Sequence, residues 1–195
     1  MSKGVQTKTA ILDEAIALAS KVGFNALTIG QLAESTGMSK SGLFAHFKSK
    51  EALQLETLER GRERFTDLVI RPTLAAPRGI ERVRALADAW LIWETEALQG
   101  GCIFVTGSIE YDDQPGPMRD ALVRNQRDWA EFIETVTRTA VSEGDFRADL
   151  DVEQFAFSLQ GLMYAFHHTA RLLRDPKALE HIRRGLDQLI ESASA

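Results

Sequence analysis

The sequence predicts an all-α protein in two parts, with three short helices in residues 1–50 and a larger helical region in residues 51–195. Apolar residues recur three or four positions apart along most of the chain, which is the spacing of one helix face. Gly, Pro, Ser, Thr and Asp stand where these stretches begin or end, as capping residues do. Only the run CIFV, residues 102–105, is also compatible with a strand, and its all-helical surroundings favour a helix.

The N-terminal part begins with a helix predicted over residues 8–22, which Gly23 ends. Thr28 is placed to cap a second helix, because a Thr hydroxyl at that position accepts a hydrogen bond from a backbone N–H. Gly37 follows where a helix ends in a left-handed residue, a conformation that Gly adopts without steric cost. A tight turn is therefore expected before a third helix.

The third helix has an apolar inward face and a slim outward face. Ser39 occupies its N-cap position, and Leu43 and Phe47 lie four residues apart on the inward side. Gly42 and Ala45 make the outward side thin. Since Gly costs roughly 1 kcal/mol of helix stability relative to Ala, a packing or functional reason is expected for Gly42. Hydroxyl and ammonium groups around a thin face suit phosphate oxygens and base edges, so the pattern predicts a helix-turn-helix with its second helix in a DNA major groove.

Six further helices are predicted beyond this unit. Ser49 caps the first of them, and the prolines in residues 71–78 end it. Pro117 opens the longest helix, and Asp151 with Gln154 resembles a capping box at the start of the next. The predicted bounds are 50–70, 80–98, 102–111, 117–143, 151–174 and 177–192.

Composition indicates a folded chain of one large domain or two small ones. Of the 195 residues 44% are hydrophobic, and Cys102 is the one cysteine. A single cysteine excludes an internal disulfide and fits a reducing compartment, and its apolar neighbours favour a buried, inert thiol. No apolar run approaches the roughly 20 residues that span a bilayer, and the N-terminus lacks the apolar core of a signal peptide. We therefore expect a cytoplasmic protein with no membrane partner.

Charge is distributed unevenly in a chain whose net charge is −5. Residues 1–50 carry six Lys and three acidic residues, whereas residues 51–195 carry 17 basic and 25 acidic residues. Because salt screens charge over roughly 10 Å, the local positive excess governs contact with a polyanion. None of the six cations in residues 1–50 is Arg, the residue that reads guanine through a bidentate fork. We therefore expect modest sequence specificity from each copy of this unit.

The run LTIGQLAESTGMSKSGLFAHFKSKEAL, residues 27–53, resembles the DNA-binding signature of the tetracycline repressor (TetR) family of bacterial regulators. The shared pattern comprises Leu32-Ala33, Gly37, Ser39, Leu43-Phe44, His46-Phe47 and Lys50-Glu51. The resemblance implies a DNA-binding domain in residues 1–50 and a helical effector-binding and dimerisation domain in residues 51–195. The chain departs from the family at Phe44, where Tyr is common; this removes a phosphate contact and leaves an apolar contact.

The resemblance implies two groups of DNA-contacting residues. The phosphate-facing group is Thr28, His46, Lys48 and Lys50. The base-facing group is Lys40, Ser41, Gly42 and Phe44, flanked by Ser39 and Ala45. A two-fold dimer presents two recognition helices to half-sites roughly 34–36 Å apart, which matches a palindromic operator in double-stranded DNA.

The resemblance also places a small, mostly apolar ligand among the helices of the C-terminal region. Candidate ligand-binding residues are Trp90, Trp93, Phe104, Trp129, Phe132, Tyr164, His167 and His168. Core packing is the alternative for each aromatic residue. His167 and His168 are adjacent and point to different helix faces, which disfavours a shared metal ion. No metal and no cofactor is expected.

Apolar residues of the last two helices are predicted to form a homodimer interface, with Gly161 permitting close approach and core burial as the alternative. These residues are Leu159, Leu162, Phe166, Leu173, Ile182, Leu186 and Leu189.

We therefore expect a transcriptional repressor that leaves its operator when a ligand binds. A DNA-binding regulator without a small-molecule effector, or an activator, is the alternative, and a helical enzyme with an incidental hairpin is a remote one. The sequence has no Gly-rich phosphate loop, nucleophile elbow or HExxH motif. The acidic group Glu110, Asp112 and Asp113 is predicted to be an exposed loop. No catalytic residue is expected.

Overall fold

The computed structural model describes residues 3–195, with side chains from Thr7 onward. The described chain is built of helices, with one isolated β-bridge between Phe146 and Ser194, which confirms the predicted all-α class. The α-helices are α1 (Lys3–Val22), α2 (Ile29–Thr36), α3 (Lys40–His46), α4 (Lys50–Phe65), α5 (Arg71–Ala75), α6 (Ile80–Ile92), α7 (Ile103–Glu110), α8 (Pro117–Ser142), α9 (Val152–His167) and α10 (Ala178–Ala193). The three π-helical segments, after α4, α6 and α9, are Thr66–Ile70, Trp93–Ala97 and His168–Leu172.

The chain forms two compact units that interleave in sequence. The first contains the residues up to Thr66 together with Thr95–Asn125, so it holds α1 to α4, α7 and the start of α8. The second contains Asp67–Glu94 and Gln126–Ala195, so it holds α5, α6, most of α8, α9 and α10. A segment from the middle of the chain therefore belongs with the N-terminal helices. The predicted functional division at residue 50 stays a prediction.

The caps around the helix-turn-helix are those that the sequence predicted. Thr28 Oγ1 accepts a hydrogen bond from the Gln31 N–H at 3.2 Å, which fixes the start of α2. Gly37 ends α2 with a φ of +66°, a left-handed conformation that favours glycine. Ser39 Oγ accepts from the Gly42 N–H at 3.1 Å and starts α3. Each cap depends on side chains within three residues, which explains why sequence predicts them well.

α1 and α4 pack against each other in the first unit, with ion pairs along their edges. Lys8 Nζ lies 2.5 Å from Glu56 Oε2, and Arg60 Nε donates to Asp13 Oδ1 at 2.9 Å. The hydrogen bond with Asp13 raises the pKa of Arg60 above its usual value, against the lowering effect of burial. Partly exposed pairs of this kind contribute little each, so apolar burial supplies most of the packing energy.

The fourth helix runs further than the sequence predicted. We expected residues 71–78 to end it, but α5 continues directly from the π-helical segment Thr66–Ile70 and ends at Ala75. Pro72 is accommodated because it lies in the first turn of α5, where a missing N–H leaves no intrahelical bond unmade. The chain leaves the helix at Ala76, whose backbone is extended.

In the second unit α10 packs closely on α9. A Cβ on Gly185 would lie 2.8 Å from Leu162 Cδ2, so a larger residue would displace the Leu162 side chain. Four residues that we predicted at a dimer interface are instead buried within this unit, so for them the core alternative is correct. These are Leu159, Phe166, Ile182 and Leu186.

Candidate DNA-binding surface and effector site

The inward side of α3 is fully buried and its outward side is open. Leu43 and Phe47 have 0% exposure, as their four-residue spacing predicted, whereas Phe44 between them is 54% exposed. The exposed neighbours of Phe44 on α3 are Lys40, Ser41 and Ala45. The face therefore combines one aromatic ring with small side chains, a hydroxyl and a cation, groups that suit base edges and phosphates.

Thr28 and Lys40 meet at the N-terminus of α2. Thr28 Oγ1 and Lys40 Nζ lie 3.7 Å and 3.8 Å from the position that a Cβ on Gly30 would take. Sequence reasoning placed Thr28 at a phosphate and Lys40 toward bases. Both groups therefore lie beside the first turn of α2, and a helix N-terminus attracts anions, but their DNA roles stay predictions.

Lys48 and Lys50 follow α3 on exposed positions. Lys50 Nζ donates to the Asn25 carbonyl oxygen at 2.5 Å, so this ammonium also ties the start of α4 to the turn between α1 and α2. Gly42 and His46 are half-buried, and the His46 ring lies 6.2 Å from that of Phe47. Ser39 Oγ is engaged in the α3 cap and lies 3.2 Å from Ser41 Oγ. The DNA roles of these residues stay predictions.

The turn between α1 and α2 is held by α4 and α7, which sequence reasoning missed. Glu110, at the end of α7, accepts a hydrogen bond from the Phe24 N–H at 2.7 Å. We predicted Glu110 in an exposed acidic loop, and that prediction is wrong, although Asp112 and Asp113 are exposed. Burial, followed by the negative charge of Glu110, raises the pKa of Tyr111 above its usual value.

The candidate effector residues of the second unit centre on a buried pair, Glu94 and His167. His167 Nδ1 lies 2.8 Å from Glu94 Oε1, and the two side chains are 15% and 1% exposed. Trp90 and Trp93 are buried on the same helical stretch as Glu94, and Trp90 meets Phe166 edge-on at 6.2 Å between ring centroids. Because Nδ1 faces Glu94, any further polar contact of the His167 ring would use Nε2.

The other candidates do not join this pair. Trp129 and Phe132 stack on α8 with ring centroids 5.9 Å apart, and both are half-buried. Phe104 belongs to the first unit, where it meets Phe65 edge-on at 5.5 Å. Tyr164 and His168 are exposed. Glu94, which is buried, was missed because its partner lies 73 positions away and no local pattern marks it.

The C-terminal sequence carries the decisive match. Residues 79–186 match the family described as "Tetracyclin repressor-like, C-terminal domain". Residues 11–57 match "Bacterial regulatory proteins, tetR family". The chain belongs to the TetR family of transcriptional regulators. The resemblance inferred from residues 27–53 is thereby confirmed, and it extends to most of the chain.

Related proteins agree in sequence and in fold. The HTH-type transcriptional regulator SrpR of Pseudomonas putida is 23% identical over 174 residues, which are 89% of this chain and 79% of SrpR. A TetR transcriptional regulator from Chloroflexus aurantiacus J-10-FL is 26% identical, with a TM-score of 0.89 over 100% of this chain and 98% of that one. AibR, crystallised with isovaleryl coenzyme A and operator DNA, has the same fold at 21% identity, with a TM-score of 0.72 over 96% and 97% of the two chains.

Among the helices of residues 3–195, none combines the length and the apolar content that crossing a lipid bilayer requires.

Proposed function

We propose that this TetR-family regulator is a homodimeric repressor that leaves a palindromic operator when a small, mostly apolar ligand binds. The observation that carries the proposal is the outward face of α3, where Phe44 and Lys40 are exposed above the fully buried Leu43 and Phe47. In this proposal α3 enters the major groove. Phe44 touches bases, and a thymine methyl group is its natural apolar contact.

The proposed phosphate contacts surround that helix. The proposed groups are the Thr28 hydroxyl, the ammonium groups of Lys48 and Lys50 and a ring nitrogen of His46. The ammonium of Lys40 joins them because it lies beside Thr28 at the start of α2. Ser39, Ser41, Gly42 and Ala45 keep the approach close and supply small polar contacts. Lysine contacts phosphate without reading sequence, so much of the affinity is electrostatic and falls as salt rises.

The proposed effector site lies within the second unit, beside Trp90, Trp93 and the Glu94–His167 pair. The aromatic side chains favour an apolar ligand, and His167 Nε2 offers it one polar contact. Trp129 and Phe132, which lie in the same unit, are proposed as further lining. The exposed Tyr164 and His168 are left out, as is Phe104, which belongs to the first unit. AibR, which has the same fold, was crystallised with isovaleryl coenzyme A and operator DNA. A protein of this fold can therefore bind both a small molecule and DNA, which supports the proposal.

The proposed dimer joins the exposed sides of α9 and α10. Phe157 is 72% exposed, Leu172 is 71% exposed, and nothing lies within 4 Å of the Cβ position at Gly161. A two-fold symmetric contact between these residues and the same residues of a second copy would bury the side chains of Phe157 and Leu172. The resulting dimer would place its two α3 helices against the two half-sites of the operator.

Release requires that the ligand bind one conformation more tightly than the other. Couplings between sites of this kind are typically about 1–3 kcal/mol. α4 is the proposed link, since it begins at Lys50 on the DNA-binding side and continues through a π-helical segment into α5. π-helical turns are often found at functional sites.

Fluorescence anisotropy with a fragment from the gene's own upstream region tests DNA binding. We expect binding to this fragment whose affinity falls steeply between 50 and 200 mM salt. A thermal-shift screen of apolar compounds then identifies ligands, and each hit should lower DNA affinity. Absence of salt-sensitive binding would overturn the proposal, and binding that no thermally stabilising compound alters would remove its effector half.

The second candidate is a DNA-binding regulator without a small-molecule effector. It is favoured by the mutual hydrogen bond of Glu94 and His167, which satisfies the buried carboxylate without a ligand. Replacement of Glu94 by Gln separates the two candidates. If a ligand binds beside Glu94, Glu94→Gln should change how that ligand alters DNA affinity. If no ligand binds there, Glu94→Gln should change only the thermal stability of the protein.

A further inference from the structure

The turn between α1 and α2 directly precedes the two helices of the helix-turn-helix, α2 and α3. α1 ends at Gly23, whose φ is +81° and whose N–H donates to the Ala19 carbonyl oxygen at 2.8 Å. Phe24 follows with 0% exposure, and four residues later Thr28 caps α2. The path of this turn therefore sets where α2, and through it α3, begins.

α7 contacts Phe24 at two points on one side of the helix. Glu110 Oε2 accepts the Phe24 N–H at 2.7 Å, and a Cβ on Gly23 would lie only 2.0 Å from Glu110 Oε1. Three residues earlier, a Cβ on Gly107 would lie 3.2 Å from the Phe24 ring. Residues three apart share one helix face, so α7 presents a recess for the ring and an acceptor for the peptide together.

α4 holds the opposite end of the same residue. Gln54 Nε2 donates to the Phe24 carbonyl oxygen at 2.5 Å, and the side chain of Gln54 is buried. We name the side chains Gln54 and Glu110, with Gly107, the Phe24 clamp. A carboxylate acceptor forms a stronger hydrogen bond than a neutral one, which makes Glu110 the dominant member.

We propose that Glu110 is a positioning residue for DNA binding, acting through the Phe24 clamp. The proposal rests on the proposed function, because it requires that the helix-turn-helix bind DNA. Glu110 touches no DNA itself. Without its carboxylate the turn is less ordered in the free protein, and the cost of ordering it on DNA lowers affinity.

Three variants separate positioning from general stability. Glu110→Ala removes the acceptor, and Glu110→Gln keeps an amide oxygen in its place. Ile103→Val is the matched control, since Ile103 is fully buried on the same helix and its side chain lies against α4 at Gly61. It destabilises the fold through lost burial and leaves the clamp intact.

Two measurements are made on the full chain at a temperature where circular dichroism finds every variant folded. Anisotropy gives the Kd for the upstream DNA fragment, and hydrogen exchange with mass spectrometry gives the opening of a peptide that covers residues 23–28. We expect Glu110→Ala to weaken binding about tenfold, the effect of one hydrogen bond to a charged acceptor, with faster exchange confined to this peptide. Glu110→Gln should fall between the parent and Glu110→Ala, and Ile103→Val should bind as the parent does.

A Kd for Glu110→Ala within twofold of the parent would overturn the inference and leave the proposed function standing. Exchange that rises equally across α1 and α4 would also overturn it, because it would indicate general destabilisation. If the parent binds no DNA, the proposed function fails, and hydrogen exchange still decides whether Glu110 holds the turn.

Discussion

α3 and α9 each bury one side and expose an aromatic ring on the other, yet the two exposed surfaces differ in chemistry. Phe44 on α3 is 54% exposed and stands beside the exposed cation of Lys40. Phe157 on α9 is 72% exposed, and Gly161 and Tyr164 follow it at four- and three-residue spacings on the same side. The first ring has small polar and cationic neighbours, whereas the second follows the exposed Glu153 and Gln154 and is followed by a glycine and a second aromatic residue.

The neighbours of an exposed ring, more than the ring itself, indicate its partner. Cations and hydroxyls beside Phe44 suit a polyanion whose bases the ring touches. An exposed ring followed by a glycine and a second aromatic residue suits another helix that approaches closely. Substitutions on the two faces should therefore damage different properties, and the following predictions test that separation.

The largest effect is expected from Phe157→Asp. In a folded monomer this side chain lies in water, so the charge costs little. In the proposed dimer it would be buried and unpaired, at a cost of about 3–5 kcal/mol or more than a hundredfold in dimer affinity. Analytical ultracentrifugation should find monomers, and DNA affinity should fall with dimer loss. Ala148→Asp, in an exposed loop, is the control; a dimeric Phe157→Asp protein would disprove the proposed interface.

Phe44→Ala should lower DNA affinity about tenfold, roughly 1.4 kcal/mol, and leave the dimer and the thermal midpoint unchanged. The half-exposed ring contributes little to the fold, so the loss comes from the DNA contact. Phe44→Tyr restores the hydroxyl common in the family and should bind more tightly by one phosphate hydrogen bond, about 0.5–1.5 kcal/mol. If the parent protein, Phe44→Ala and Phe44→Tyr bind DNA with equal affinity, the side chain at position 44 does not contact DNA.

Lys50→Ala should weaken binding to all DNA sequences and reduce the slope of log affinity against log salt by about one. The reason is the loss of one phosphate contact. Lys177→Ala removes an exposed cation from the second unit and serves as the control. Since Lys50 also bonds to the Asn25 carbonyl, its thermal midpoint is measured in parallel. Unchanged slope and affinity would contradict the phosphate role.

Gly161→Ala is expected to have the smallest effect, with opposite signs in monomer and dimer. Nothing lies within 4 Å of the new methyl group in the single chain, so the monomer should gain up to about 1 kcal/mol from helix propensity. In the proposed dimer the methyl group separates two closely packed helices and weakens association. Unfolding measured at low concentration, with sedimentation at high concentration, reports both signs. A variant that dimerises more tightly would place Gly161 outside the interface.

Local features of the fold were predictable from sequence, and their physical range explains why. Thr28, Ser39 and Asp151 each cap a helix through a backbone N–H three residues away, so a few letters suffice. The end of the fourth helix was wrongly predicted at residue 70, because Pro72 lies in the first turn of α5, which follows the π-helical segment without a break.

The features of the candidate sites were likewise predictable from sequence only where they depend on residues close together in the chain. The exposed α3 face followed from helical spacing, whereas the Glu94–His167 and Phe24–Glu110 bonds join residues 73 and 86 positions apart. No helical period or motif encodes such pairs, and a single sequence shows no covariation between them. The same limit applies to Leu159 and Phe166, whose apolar spacing fits a core and a dimer surface equally well until the tertiary packing is known.

The close approach of Gly100 to α1 gives the first unit a further property. The Gly100 N–H donates to Ser20 Oγ at 3.1 Å, and a Cβ there would lie 1.7 Å from the Ser20 carbonyl oxygen. One design for a chimeric regulator would join one protein's DNA-binding head to another's effector-binding part at a single seam. In this chain such a seam after residue 66 would separate the head from the segment 95–125 that braces it, so a working graft has to carry both pieces.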